Sequence, residues 1–247
     1  LIIIFILFTV TGLLPQKVQA WGNVGAHPEI NRLALLLFQQ RQVDDSSLKN
    51  MSLNGEPCWG IAWDPSDDNA LVNRIEEKKR QKSLKDWIVD AGYSADEPEG
   101  PMAMRHFYDP TNPGKSFLSD TDWVAGFLRL TLGSIAVNPE ISAVDWAMNK
   151  DEGMAKQDTI FKQNYSFPDA KEYFKKALAD KSRDNEYYGQ AWRAAGETMH
   201  LVADMGTPAH VRNDGHGLGD ADPLEGATSA GSIQSHFNKN WTPSINY

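Results

Sequence analysis

The feature that most constrains this chain is a short stretch holding three side chains able to bind a metal: His200, Asp204 and His210. Residues 187–205 have the apolar periodicity of a helix, and residues four apart on a helix project from the same side. His200 and Asp204 are therefore predicted to share one face, where both could contact one ion. A pair with this spacing also occurs in surface and capping arrangements, so the pair alone does not define a metal site.

The break after this helix is predicted to bring in the third side chain. Gly206 suits the position just past a helix end, Thr207 suits an N-cap, and Pro208 suits the first residue of a new helix. We expect a sharp turn there that presents His210 to the same cavity. Two imidazoles and one carboxylate are ligands that zinc binds at about 2.0–2.2 Å.

Residues 1–20 differ in character from everything after them. Residues 1–14 are almost wholly apolar, and residues 18–20 supply a small-residue cleavage pattern before Trp21, which is typical of a secretory signal peptide. The alternative is a membrane anchor, but the apolar run is shorter than the ~20 residues that a spanning helix requires. We therefore predict a secreted or periplasmic protein without a transmembrane segment in the mature chain. The missing initiator Met and basic segment lead us to expect that the sequence begins within its gene.

Charge and cysteine content narrow the class of protein further. The chain has 33 acidic and 24 basic residues, a net charge of −9, so the protein as a whole offers no long-range attraction to a nucleic-acid backbone or an anionic membrane. Metal ions in a cleft can reverse that sign locally. Cys58 is the single cysteine, which excludes an intrachain disulfide. We expect residues 21–247 to form one domain with one core, and the protein to be a monomer.

The apolar periodicity predicts an all-α, multi-helix domain, because no alternating strand pattern of any length occurs. Loops rich in Gly, Pro and Asp are predicted at 54–68, 94–114 and 213–226, and these loops carry several of the remaining reactive side chains. Ser166 and Asp169 form a helix-initiating pair before one of the helices. The predicted helices are 28–40, 69–91, 120–132, 139–148, 168–179 and 187–205.

The other histidines are unremarkable when each is considered by itself. His27 lies at a predicted helix start, where it would be an ordinary capping or surface residue. His106 has aromatic neighbours that suit a partly buried structural imidazole equally well. His216 lies in a glycine-rich loop and His236 in a polar stretch, where a solvated imidazole is the default.

Three separated motifs change that interpretation. They are Trp21-Gly with His27-Pro-Glu-Ile-Asn-Arg, then Arg105-His-Phe-Tyr-Asp-Pro, then His200-x3-Asp204-x3-Pro208-x-His210. In this order the chain resembles the bacterial zinc-dependent phospholipase C family and, more distantly, the single-strand-specific zinc nucleases that share its fold. With gaps, the resemblance extends over roughly residues 21–225.

The resemblance implies a cleft with three zinc ions. On the first ion, Trp21 would bind through the α-amine and carbonyl that signal cleavage creates, together with His27. Asp90, His106 and His200 would bind the second ion. Asp204 would bridge these two zincs.

The third ion is where the chain departs from the family pattern. We favour His210, His216 and Glu225 as its ligands, because Asp222-Pro223 is a sound helix start that would carry Glu225. The alternative is His216-x3-Asp220, which keeps the family spacing but places glycines where a helix is needed. Glu225 could also serve only to close a capping box. We further expect that the last helices of the family's domain lie beyond residue 247.

The function implied by the resemblance is phospholipase C activity on glycerophospholipids, releasing diacylglycerol and a phosphorylated head group. The expected partner is a phospholipid at a membrane or micelle surface, and no stable nucleic-acid partner is expected. Asp90 would orient or deprotonate the attacking water. The alternative is a single-strand nuclease, which needs an aromatic clamp for an unstacked base. A second alternative is a non-catalytic surface protein stabilised by zinc, although structural zinc sites are usually rich in Cys.

Overall fold

The computed structural model describes residues 25–44, 59–64, 78–97, 102, 105–112, 142–148 and 164–212. Most of these residues are helical, as predicted, and a small two-stranded sheet accompanies the helices. In chain order the elements are α1 (His27–Asp44), β1 (Trp59–Asp64), β2 (Lys78–Ser83), α2 (Leu84–Ser94), α3 (Ala143–Met148), α4 (Phe167–Ala179), α5 (Asp184–Asp204) and α6 (Pro208–Val211).

The sheet corrects two predictions. Strands β1 and β2 pair antiparallel, with Trp59 opposite Ser83 and Asp64 opposite Lys78, so the predicted loop at 54–68 contains a strand. The predicted helix at 69–91 is wrong over 78–83, where the basic segment is extended. Helix α2 begins only after Ser83, whose hydroxyl accepts a hydrogen bond from the backbone of the first turn and acts as an N-cap.

Other helix boundaries follow the local signals in the sequence. Ser166 and Asp169 form a reciprocal capping box at the start of α4, which confirms that prediction. Thr207 is the N-cap of α6, with Pro at its first position. Helix α5 starts three residues earlier than predicted, at Asp184, and α3 occupies the second part of the predicted helix at 139–148. The predicted helix at 120–132 lies outside the described residues.

Helix α2 packs between α1 and α5 with unusually close backbone contacts. A Cβ atom at Gly92 would lie 2.6 Å from the nitrogen of Pro28, and one at Gly196 would lie 2.6 Å from the carbonyl oxygen of Ile88. Glycine is required at both positions because any side chain would separate the helices. The first contact fixes the start of α1 against the end of α2, and the second fixes α5 against the middle of α2.

Asn31 joins the same three helices through one buried side chain. Its Nδ2 donates hydrogen bonds to the carbonyl oxygens of Ile88, at 2.8 Å, and Gly196, at 3.1 Å. Trp87 is fully buried, and its indole Nε1 donates to the carbonyl oxygen of Gly60 at 2.8 Å, which ties the sheet to α2. These buried hydrogen bonds set the relative positions of α1, α2 and α5 at the end where the candidate site lies.

Candidate metal centre

Six buried side chains from five segments converge at one end of this helical group. His27 is the first residue of α1, and two ligand candidates come from the last turns of α5. One side chain comes from the turn that follows α2, one from the segment at 105–112 and one from α6. The converging residues are His27, Asp96, His106, His200, Asp204 and His210, all of them buried.

The carboxylate of Asp204 is at the centre of the cluster. Its Oδ1 lies 3.2 Å from Nε2 of His27 and 3.5 Å from Nδ1 of His210. Its Oδ2 lies 3.3 Å from Nε2 of His200 and 3.8 Å from Nδ1 of His106. The two oxygens of one carboxylate thus face two different pairs of imidazoles.

Asp96 completes one side of this arrangement. Its Oδ1 lies 3.1 Å from Nδ1 of His106 and 3.5 Å from Nε2 of His200. Within the described part of the chain, two groups of three residues bring their ligand atoms within 4.8 Å of one another. These groups are His27, His200 and Asp204, and Asp96, His106 and His200.

The spacing of these atoms can be compared with the geometry of a zinc site. Bonds of ~2.0–2.2 Å in a tetrahedral shell place neighbouring ligand atoms about 3.3–3.6 Å apart. The distances that join Asp96 and Asp204 to His106 and His200 run from 3.1 to 3.8 Å. Two of these four distances, 3.3 and 3.5 Å, fall within that range, and the other two, 3.1 and 3.8 Å, lie just outside it.

Several of these atoms have no hydrogen-bond partner among the residues that the structure describes. This is true of both carboxylate oxygens of Asp204, Oδ2 of Asp96, both ring nitrogens of His106 and Nε2 of His200. A buried polar atom without a partner costs on the order of 1–3 kcal/mol. A bound cation would give these atoms a partner and so remove that free-energy cost. These buried His and Asp groups therefore fit a bound metal ion.

A hydrogen bond from the ring nitrogen that faces away from the carboxylates fixes the orientation of His200. Its Nδ1 donates to the carbonyl oxygen of Gly92 at 2.8 Å, which leaves Nε2 facing the carboxylates. Metal-binding imidazoles are commonly held in this way, with the second nitrogen bonded to a carbonyl. Because a single nitrogen binds a single ion, His200 can serve one of the two groups and not both.

The electrostatics of the cluster follow from burial combined with opposite charges. Burial opposes charging of His200, but the carboxylates of Asp96 and Asp204 outweigh it and raise the pKa of His200 to about 9. Burial also works to raise the pKa values of both carboxyls, yet the surrounding imidazoles lower the pKa of Asp96 and hold that of Asp204 well below its usual range. Burial, reinforced by repulsion from His200, lowers the pKa of His27. Both carboxylates are thus ready to bind a cation at neutral pH.

The structure does not place Asp90 in either group. Its Oδ2 is 2.6 Å from Nζ of Lys82, and its side chain is 38% exposed. Helical phase explains this, because the buried face of α2 runs through Trp87, Ile88 and Ala91, while Asp90 lies to the side of that face. The structure therefore places Asp96, and not the predicted Asp90, beside His106 and His200.

Asp96 was missed because it follows α2 instead of lying on it. The signal was present: Asp96 belongs to the polar loop predicted at 94–114, ten residues before His106 in the same loop. A ligand on a turn has no helical or strand periodicity to reveal it, so only the folded position of α2 identifies it.

Of the remaining predicted ligands, the structure describes His210 but not the other three. His210 lies with His27 against Oδ1 of Asp204, where the prediction had grouped it with His216 and Glu225. Trp21, His216 and Glu225 lie outside the described residues, as does the alternative ligand Asp220.

Backbone hydrogen bonds hold the 105–112 segment against α6. The nitrogen of Tyr108 donates to the carbonyl oxygen of His210 at 3.0 Å, and the nitrogen of Ala143 donates to the carbonyl oxygen of Phe107 at 3.0 Å. The ring of Phe107 also contacts that of His210, with centroids 4.7 Å apart. The residues that follow His106 are therefore held against both α6 and α3.

In the described part of the chain, no helix has both the length and the apolar character needed to cross a bilayer. Comparisons with models of protein families, with curated proteins and with solved structures found no match for this chain.

Proposed function

We propose that this protein is an exported, zinc-dependent phosphodiester hydrolase of the phospholipase C type. It would cleave glycerophospholipids to diacylglycerol and a phosphorylated head group. The observation that carries the proposal is the position of Asp204, whose two oxygens face two separate pairs of buried imidazoles. A carboxylate placed in this way suits a site of two or more ions, and such sites hold both the attacking and the leaving oxygen of a phosphate ester.

The ligands divide naturally between two ions. Asp96, His106, His200 and Oδ2 of Asp204 would hold one ion. Oδ1 of Asp204 and His27 would help to hold a second ion. The resemblance names Trp21 as the ligand that would complete it. A third ion bound by His210, His216 and Glu225 rests on the resemblance alone.

Zinc bound here would neutralise the charge of a phosphodiester and lower the pKa of water towards ~7. The protein's own side chains have two further tasks. His200, fixed by the carbonyl of Gly92, holds its nitrogen still while charge develops at the site. Asp96 takes over the role predicted for Asp90: its Oδ2 has no hydrogen bond within the described residues, so it can orient the attacking water and accept its proton.

Two features favour a lipid substrate over a nucleic acid. The motif Arg105-His-Phe-Tyr-Asp-Pro resembles the phospholipase family more closely than the nucleases. The net charge of −9 also works against a polyanionic substrate, because nucleic-acid binding depends on cationic side chains along the backbone. A purely structural role fits less well, because structural zinc sites are usually closed shells rich in Cys, whereas these two groups contain only imidazoles and carboxylates.

The proposal can be tested by assaying hydrolysis with the chain from residue 21 onward, loaded with zinc. Phosphatidylcholine and single-stranded DNA are offered in parallel, with Asp204→Asn as the inactive control. We expect diacylglycerol release by the wild type and at least a ~10²-fold loss in the variant. Release of nucleotides without diacylglycerol would assign the protein to the nuclease class. Zinc binding with neither product would refute hydrolysis of both substrates.

A further inference from the structure

Helix α4 carries a stripe of apolar side chains that are exposed to solvent. Phe167, Phe174 and Leu178 are 43%, 42% and 54% exposed. They are seven and then four residues apart, so they lie on one face of the helix. Scattered apolar side chains are normal on a protein surface, but an aligned set on one helix indicates an interaction surface.

The rest of α4 is firmly attached to the protein by a different face. Ala170 is buried in a cluster with Tyr165 and Ala194, and Ala177 is buried against Leu84 and Tyr188. The stripe lies beside this buried face, and the ring of Phe174 makes an edge contact with Tyr188 at 5.8 Å. The helix is thus held in place by its small residues, while its large apolar side chains are about half exposed.

Lysines line the side of the stripe that faces away from the core. Nζ of Lys171 lies 5.3 Å from the ring centroid of Phe167, and Lys175 is highly exposed one turn further on. Glu172 lies 4.0 Å from the amines of both Lys175 and Lys176, and an exposed ion pair at that distance neutralises them only weakly. Because charges separated by more than about 8–10 Å are screened at physiological ionic strength, this local excess of lysines matters more at close range than the net charge of −9.

We propose that this face of α4, defined by Phe167, Lys171, Phe174, Lys175 and Leu178, docks the protein on an anionic phospholipid surface. The apolar side chains would enter the acyl boundary while the lysines contact lipid phosphates, as amphipathic helices do at membrane interfaces. The inference rests on the proposed function, because an enzyme that acts on phospholipids must reach them at an interface. None of the candidate metal ligands lies on α4, so docking and hydrolysis can be measured separately.

The test uses zinc-loaded protein, from residue 21 onward, and co-sedimentation with two kinds of vesicle. One kind is pure phosphatidylcholine, and the other is equal parts phosphatidylcholine and phosphatidylglycerol. Two variants are compared with the wild type: Phe167→Ser with Leu178→Ser, which removes apolar contact, and Lys171→Glu with Lys175→Glu, which reverses charge but leaves the stripe. Val202→Ser is the matched control, since Val202 is an exposed apolar residue on α5.

We expect the wild type to favour the anionic vesicles and each double variant to lose at least about tenfold in binding to them. The control should bind as the wild type does. Hydrolysis of a short-chain, monomeric phosphatidylcholine should be the same in all four proteins. Equal sedimentation of wild type and both variants would overturn the proposal. So would a concentration-dependent dimer that the variants abolish, because the stripe would then bind a second copy. If the wild type binds the anionic vesicles but hydrolyses no phospholipid, the proposed function is refuted and the docking surface remains supported.

Discussion

The imidazole of His200 is held by the carbonyl oxygen of Gly92, which accepts a hydrogen bond from Nδ1 at 2.8 Å. Gly92 is also the point where α2 comes so close to the start of α1 that a Cβ atom would lie 2.6 Å from the nitrogen of Pro28. The same residue thus positions one candidate ligand directly and a second, His27, through helix packing.

Replacing Asp96 should weaken zinc binding far more than replacing Asp90. Asp96→Asn removes a charged ligand from the group of Asp96, His106 and His200, and we expect the affinity to fall by more than about a hundredfold, the upper range for supporting residues around a metal. Asp90→Asn is the matched control, because that carboxylate pairs with Lys82 at a partly exposed site and contributes little. Competition with a chromophoric chelator measures both affinities. The opposite order would restore Asp90 as the ligand.

Zinc affinity should rise with pH up to about 9. In the metal-free protein the carboxylates of Asp96 and Asp204 overcome burial and raise the pKa of His200 to about 9, so zinc must displace a proton from it below that pH. The affinity should therefore rise by about tenfold per pH unit for each proton displaced, then level off. Chelator competition across a pH series gives the slope. His200→Gln should reduce the slope by about one proton, and an unchanged slope would contradict the assignment.

Without metal, the stability of the fold should fall as the pH rises towards and past about 9, whereas the zinc affinity rises over the same range. A histidine with a raised pKa stabilises the fold fully below its ordinary value of 6.5, and this contribution is lost as the pH rises through about 9. The depressed pKa of Asp204 adds stability above 3.8 that is lost in acid as the carboxyl becomes protonated. Urea unfolding of chelator-treated protein should therefore show lower stability at pH above about 9 than near neutrality. Greater stability at the alkaline end would refute the ion-pair description.

Removing the metal should lower the unfolding temperature, and zinc should restore it. With free zinc at ~100 times its dissociation constant, the stabilisation amounts to about 2.7 kcal/mol per independent site. Calorimetry with and without chelator measures the change. Mg²⁺ serves as the control ion, because it prefers oxygen ligands in an octahedral shell and should not restore stability at this site. Full recovery with Mg²⁺ would show that the imidazoles are not ligands.

Gly92→Ala should destabilise the protein by about 1–3 kcal/mol, the usual cost of overpacking a tight contact. The added methyl group would collide with the backbone of His27 and Pro28, which cannot move without displacing α1. Gly206→Ala is the control, since its Cβ would come no closer than 3.1 Å to the carbonyl oxygen of Ala203. Urea unfolding of the two zinc-loaded variants measures the difference. If Gly92→Ala and Gly206→Ala lowered the free energy of unfolding equally, the contact between α1 and α2 would be looser than described.

Local signals in the sequence predicted those features that depend on residues close together in the chain. The spacing of His200 and Asp204 placed both on one face of α5, and the Gly206-Thr207-Pro208 break predicted the start of α6. The capping box at Ser166 was readable for the same reason, because its hydrogen bonds link residues three apart. The mostly helical fold also followed from periodicity.

Tertiary structure decided the rest. The basic segment Lys78–Ser83 has no strand pattern of its own and becomes extended because Asp64 and its strand β1 pair with it. Asp96 becomes a ligand candidate, and Asp90 does not, because the packing of α2 between α1 and α5 turns one face of that helix inwards and carries its C-terminal turn to the histidines. A sequence records which side chains could bind a metal, but the distances between segments far apart in the chain arise only when the helices pack.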